Sequence, residues 1–148
     1  MATDWDKARE KAFRTGQWAV RMTKVRIRQV SSRTRWEFVT FSGKSGGESR
    51  GVVDLVAIRK DHRTPKGVLN RGDALQIVLV QVKGGAAARP TPSDWKRLKA
   101  VEARHGAADC LLAVWKKGRA VEFFRPSAGT TGKRLAWSQG EDVEKIFR

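Results

Sequence analysis

Two stretches of the chain are apolar with almost no polar interruption. VVDLVAIR (52–59) and LQIVLVQVK (75–83) are runs of β-branched and aliphatic residues, the pattern of strands buried on both faces. The polar KDHRTPKGVLNRGD between them reads as a loop or an extended hairpin tip. Elsewhere the period changes. At 100° per residue, Trp5, Ala8, Ala12 and Phe13 fall on one arc, which predicts an amphipathic helix over Asp4–Arg14 with Gly16 as its stop. Residues 17–30 (QWAVRMTKVRIRQV) fit neither period cleanly, and the VRIR alternation favours a strand with a basic outer face.

SSRT (31–34) reads as a turn, WEFVTF (36–41) as a strand, and SGKSGGESRG (42–51) as a Gly- and Ser-rich loop. GGAAARP (84–90) leads into a second helix, TPSDWKRLKAVEARHG (91–106). That helix has Thr91 or Ser93 as cap, Pro92 in its first turn, Asp94 near its positive end and Gly106 at its stop. CLLAVW (110–115) and AVEFFR, from Ala120, read as strands around a KKGR turn, and RLAW (134–137) as a further short strand. Helix, strands, helix, strands over residues 1–148 predicts a single domain of α/β or α+β class, a central mixed sheet flanked by helices.

Charge adds what the pattern does not carry. Lys and Arg number 31 against 15 Asp and Glu, a net charge of +16. Self-repulsion of that size opposes compaction unless a polyanion offsets it. Nucleic acid fits this need, because neutralising phosphates releases counterions. DNA is the expected partner, with RNA second. A membrane surface is not, since the charge is spread along the chain rather than gathered on one amphipathic helix. Cys110 is the lone cysteine and His62 and His105 the only histidines, which leaves no disulfide framework and argues against a zinc centre. The polar start MATDWDKARE and the lack of a long apolar run predict a reducing, cytoplasmic setting.

The candidate chemistry lies where the apolar runs turn polar. Side chains alternate faces along a strand, so Ile77, Leu79, Gln81 and Lys83 share one face and Val78, Val80 and Val82 the other. That strand becomes polar on one face only, at its carboxyl end. Asp54 sits between Val53 and Leu55, where an unpaired carboxylate is costly to bury and a cation or a lysine would relieve it. A carboxylate, an amide oxygen from Gln81 and the Val82 backbone carbonyl can together hold Mg²⁺, a cation that prefers oxygen. A neighbouring lysine can serve the attacking water and the charge that develops on a phosphate.

The order GESRGVVDLVAI … IVLVQVKGG resembles the PD-(D/E)xK nuclease superfamily in its Q-x-K variant, as in Mrr-type restriction endonucleases. GQWAVR (16–21) and FSGKSGG (41–47) are similar to segments of archaeal-type Holliday junction resolvases, and the resemblance spans roughly residues 5–115. It implies a restriction-endonuclease-like core. In that core an initial helix supplies an acid, an antiparallel strand pair carries the D and the E/Q-x-K, and a following helix packs on the sheet. By the same resemblance Asp54 is a metal-binding aspartate, Gln81 stands in place of the second acid, Lys83 is the motif lysine, and Ser42 lies near the site. The pattern departs from the family at Val53, where a proline is usual, at Gln81, and in the long gap between Asp54 and Gln81. The helix acid would be Asp6 or Glu10, which are i,i+4 neighbours; ordinary surface charge, with Glu10 paired to Arg14, is the alternative.

The expected activity is a Mg²⁺-dependent endonuclease on DNA, with Mn²⁺ as substitute. Asp54, Gln81, Val82 and Glu10 are the expected metal ligands; Lys44 and Arg50 beside Asp54, and Lys96 and Lys99 on the second helix, the expected phosphate contacts. A homodimer follows by analogy with relatives that act on both strands. The rival expectation is a non-catalytic DNA- or RNA-binding protein on the same fold, and a third is a basic assembly protein on structured RNA.

Overall fold

The computed structural model describes residues 1–31, 35–41, 50–87, 91–126, 137–139 and 141–148, the side chains of 126, 137–139, 141 and 142 aside. Helix α1 spans Asp4–Val30. Its start is a reciprocal cap in which the Thr3 hydroxyl accepts the Asp6 N–H and the Asp6 carboxylate accepts from the Thr3 backbone. Gly16 does not end the helix, and QWAVRMTKVRIRQV is helical throughout, strand-like VRIR included. The reason is tertiary. Ala19, Thr23 and Ile27, spaced four apart, are fully buried against the sheet, and burying such a stripe outweighs the few tenths of a kcal/mol by which β-branched residues disfavour a helix. The Thr23 hydroxyl is satisfied by the Ala19 carbonyl at 2.7 Å. The arc expected to be the apolar face of the first turns stays at the surface, with Trp5 84% exposed.

Among the described residues six strands form one sheet in chain order: β1 (Glu37–Thr40), β2 (Leu55–Lys60), β3 (Leu75–Gly84), β4 (Asp109–Trp115), β5 (Glu122–Pro126) and β6 (Trp137–Gln139). All neighbours are antiparallel except β3 and β4, which run parallel. Helix α2 (Pro92–His105) makes the crossover that a parallel pair requires. Thr91 is its cap, reciprocated by Asp94, Pro92 opens it, and Gly106 closes it in the left-handed conformation at φ 60°. The class is α+β, with a central mixed sheet between helices. Several bounds shift: β2 starts at Leu55 rather than 52, because Val52 and Val53 precede the ladder. β5 starts at Glu122 and β6 at Trp137. The loop residues 42–49 and most of the RLAW segment lie outside the described residues.

The period-2 alternation of β3 divides the interior. Val78 and Val80 join Leu55, Ala57, Leu111 and Ala113 under α1. Leu79 joins Val52, Val56, Cys110, Trp95 and Leu98 under α2. The tail, which carried no sequence assignment, completes the α1 side through helix α3 (Glu141–Glu144) and a 3-10 turn (Lys145–Phe147). Val143 and Phe147 are buried there, Trp36 Nε1 donates to the Phe147 carbonyl at 3.0 Å, and Arg26 bonds Glu144 at 2.7 Å. Arg59 lies over the Trp36 ring at 4.2 Å and donates to the Phe147 and Arg148 carbonyls.

Gly84 closes β3 against α1. A Cβ there would stand 2.9 Å from the Ala19 Cβ and 3.2 Å from the Thr15 carbonyl oxygen. Only a glycine lets the helix rest directly on the strand end.

Candidate active site

β2 and β3 pair from Lys60–Leu75 to Leu55–Val80, and there the ladder stops. Asp54, one residue further out, ties the two strands by different means. Its N–H donates to the Val80 carbonyl at 3.0 Å, and its carboxylate Oδ2 accepts the Val82 N–H at 2.7 Å. Asp54 thus grips both sequence neighbours of Gln81. A residue's N–H and C=O point to the same side of an extended strand, so the Val82 carbonyl is turned toward Asp54 as well.

Alternation puts Asp54 on the face of Val52 and Val56, the α2 side. Gln81 and Lys83 follow Leu79 on that same side. Gln81 is 6% exposed, and its Oε1 is buried without a hydrogen-bond partner. Buried polar oxygens are satisfied in the great majority of cases. An orphan here, between the two positions that Asp54 holds, is what an oxygen ligand awaiting a cation would look like. Lys83 is half-buried and close enough to the first turn of α2 to act on Asp94. The Asp94 carboxyl is held below its ordinary value by hydrogen bonds from the Thr91 N–H and hydroxyl, then by Arg97 and Lys83.

The oxygen set at this end of the sheet is one carboxylate, one amide and one backbone carbonyl. That suits a hard divalent ion completing its shell with water and phosphate oxygens. Among the described residues no group of three or more His, Cys, Asp or Glu gathers to hold a metal. The residues fit the cation, with one formal negative charge rather than two.

The other expected residues fall elsewhere. Glu10 belongs to α1, the layer on the far side of the sheet, and its carboxylate pairs with Arg14 at 2.5 Å. Asp6 is engaged in the cap of α1, where the Thr3 hydroxyl and N–H lower its pKa. Ser42 and Lys44 lie outside the described residues. Arg50 is exposed just ahead of Val52 and Asp54. Lys96 is exposed on α2, and Lys99 bonds Glu102 at 2.8 Å, which raises its pKa. Cys110 is buried beside α2, and burial pushes its thiol well above its ordinary value, as befits a passive core residue. Asp94 went unassigned to the site. Its only local signal, an acid three residues after Thr91, reads as a helix cap, and its nearness to Lys83 comes from the crossover.

Fold and site together define an α+β sheet protein with a polar constellation at the open end of an antiparallel strand pair. Compared with solved structures, the chain is similar to Hjc, the Holliday junction resolvase of the archaeal hyperthermophile Archaeoglobus fulgidus. The TM-score is 0.49 and the identity 15%, over 88% of this chain and 93% of that one. No protein-family model and no curated protein sequence matches the chain.

Proposed function

We propose that this chain is a divalent-cation-dependent endonuclease acting on DNA, with Asp54, Gln81 and Lys83 at its reaction centre. The observation that carries the reading is the buried, unpartnered Gln81 oxygen set between the two positions bonded to Asp54. Left alone, such an oxygen costs about 1–3 kcal/mol; ligation of Mg²⁺ or Mn²⁺ together with Asp54 and the Val82 carbonyl would relieve that cost. A cation held there supplies Lewis-acid polarisation of the phosphate and a more acidic water.

The chain's own residues do the remaining work. The Val82 N–H holds the Asp54 carboxylate in position before any ligand arrives, so little reorganisation is needed. Lys83, two residues beyond Gln81 on the same face, orients the attacking water and offsets charge building on the phosphate. Arg50, Lys96 and Lys99 hold the phosphate backbone without reading sequence, and the net charge of +16 drives the encounter. Two copies acting together would reach both strands of a duplex. A non-catalytic nucleic-acid-binding protein is the second reading, favoured by an amide where a second carboxylate would bind metal more strongly.

A cleavage assay on labelled duplex, flap, junction and single-stranded DNA, with and without Mg²⁺ or Mn²⁺, separates the two. Cutting that requires metal and disappears in Lys83→Ala, with salt-dependent binding retained, supports the nuclease. Wild-type protein that binds every substrate and cuts none under either metal makes the binding protein the correct reading.

A further inference from the structure

β3 and β4 end side by side, with Gly84 opposite Trp115. Lys83 and Gly84 are consecutive, so they face opposite sides of the sheet. Lys83 faces the candidate reaction centre, and Gly84 faces Ala19 and Thr15 of α1, the latter of which also lines an open cleft of about 610 Å³. That volume is ordinary for a ligand site, which spans roughly 300–1,000 Å³. Two indoles line it, Trp18 from α1 and Trp115 from the end of β4. Trp18 is 49% exposed, with the Arg21 guanidinium 5.1 Å from its ring centroid. Lys7, Lys11, Arg14 and Lys117 surround them. Glu10, the one acid of the lining among the described residues, is bonded to Arg14.

An exposed indole beside a partly buried one, among cations, matches the chemistry of a nucleotide whose base is free of its partner. The rings offer a stacking surface and the ammonium groups take the flanking phosphates. A paired base inside a duplex presents no free face to such a cleft. The two sites meet at the same end of the sheet, since Gly84 follows Lys83 in β3 and pairs with Trp115 of β4.

We propose that this cleft takes an unpaired nucleotide of the DNA strand that rounds the end of the sheet from the reaction centre, with its base on Trp18 and Trp115. The proposal rests on the nuclease reading for its substrate. It adds a preference, for DNA carrying a single-stranded stretch at the cleavage point over a perfect duplex.

The test is binding in EDTA, followed by tryptophan quenching and by anisotropy of labelled DNA. The probes are a short oligothymidylate, a duplex with a single-stranded flap and a blunt duplex of the same length. Trp18→Ala is expected to weaken the oligothymidylate and the flapped duplex by about tenfold, the scale of one lost stacked base, while blunt-duplex affinity changes less than about twofold. Trp18→Phe restores most of the loss. Equal losses on blunt and flapped duplex, or no loss on either, overturn the proposal, the first reducing the cleft to part of a general phosphate-binding surface. Because this binding is read without metal, a wild type that never cuts sinks the nuclease reading and leaves the stacking result standing. Normal cleavage with an indifferent Trp18→Ala does the reverse.

Discussion

The Asp54 carboxylate accepts the Val82 N–H at 2.7 Å, a bond between residues 28 positions apart in sequence. It stands where the β2–β3 ladder has ended, and there the Val82 N–H is taken by a side chain rather than by a backbone carbonyl. One carboxylate therefore has a structural role and a candidate catalytic one, and substitution can part them. Asp54→Asn keeps an acceptor for Val82 and should leave the unfolding midpoint near that of wild type. Asp54→Ala leaves the N–H unsatisfied and should cost about 1–3 kcal/mol in urea unfolding. Both should lose metal-dependent cleavage. Cleavage surviving in Asp54→Asn would assign the residue to structure alone.

Gln81 gives the sharper metal test. Removing its orphaned oxygen in Gln81→Leu should change stability by less than about 1 kcal/mol, or raise it, because no hydrogen bond is lost. The same change should weaken Mn²⁺ binding measured by calorimetry. Gln81→Glu introduces a second carboxylate and should tighten Mn²⁺ by about tenfold or more. It should also lower stability in EDTA, through repulsion between two neighbouring carboxylates. A Gln81→Leu protein that binds Mn²⁺ like wild type would place the ion elsewhere.

Gly16 and Gly84 make opposite predictions from the same substitution. A Cβ at Gly16 would meet nothing within 4 Å, and the residue lies inside α1. Gly16→Ala should therefore stabilise the protein by about 0.5–1 kcal/mol. Gly84→Ala drives a methyl group to 2.9 Å from the Ala19 Cβ and should destabilise by about 1–3 kcal/mol as α1 is pushed off the strand. Thermal unfolding of the two variants checks both signs.

Asp109, at the start of β4, supplies a pH test. Burial raises its carboxyl above the ordinary 3.8, and Arg125 and the Cys110 N–H only partly offset this. With the folded pKa above the unfolded one, the native state holds the proton more tightly between the two. Its contribution to stability is then full below pH 3.8 and is lost as pH rises through the folded value. Wild type minus Asp109→Asn, from urea unfolding at several pH values, should fall as pH rises through that window. A difference that grows with pH would show that Arg125 outweighs the burial.

Much of the candidate site was legible because its signals are local. Strand alternation alone sets Gln81 and Lys83 on one face and Val82 on the other, and the capping pair Thr91 and Asp94 marks where α2 begins. The metal role of Glu10 was open to sequence reading, and so was its pairing with Arg14. The folded chain has that ion pair, with α1 on the opposite layer from Gln81. VRIR misled for a related reason. Alternation over four residues suits a strand, but Ala19, Thr23 and Ile27 also carry a helical spacing, and the sheet they bury against is not visible locally.

By itself, then, the order of amino acids determined the apolar strands, their polar ends, the caps of α2 and the excess of positive charge. Each of these depends on a residue and its near neighbours. Tertiary structure alone decided that α1 continues past Gly16, that the tail packs Phe147 beneath Trp36, that Asp94 comes near Lys83, and that Trp18 and Trp115 share a cleft. Those outcomes come from burial and hydrogen bonds between residues far apart in the chain, which outweigh the small local preferences a sequence displays.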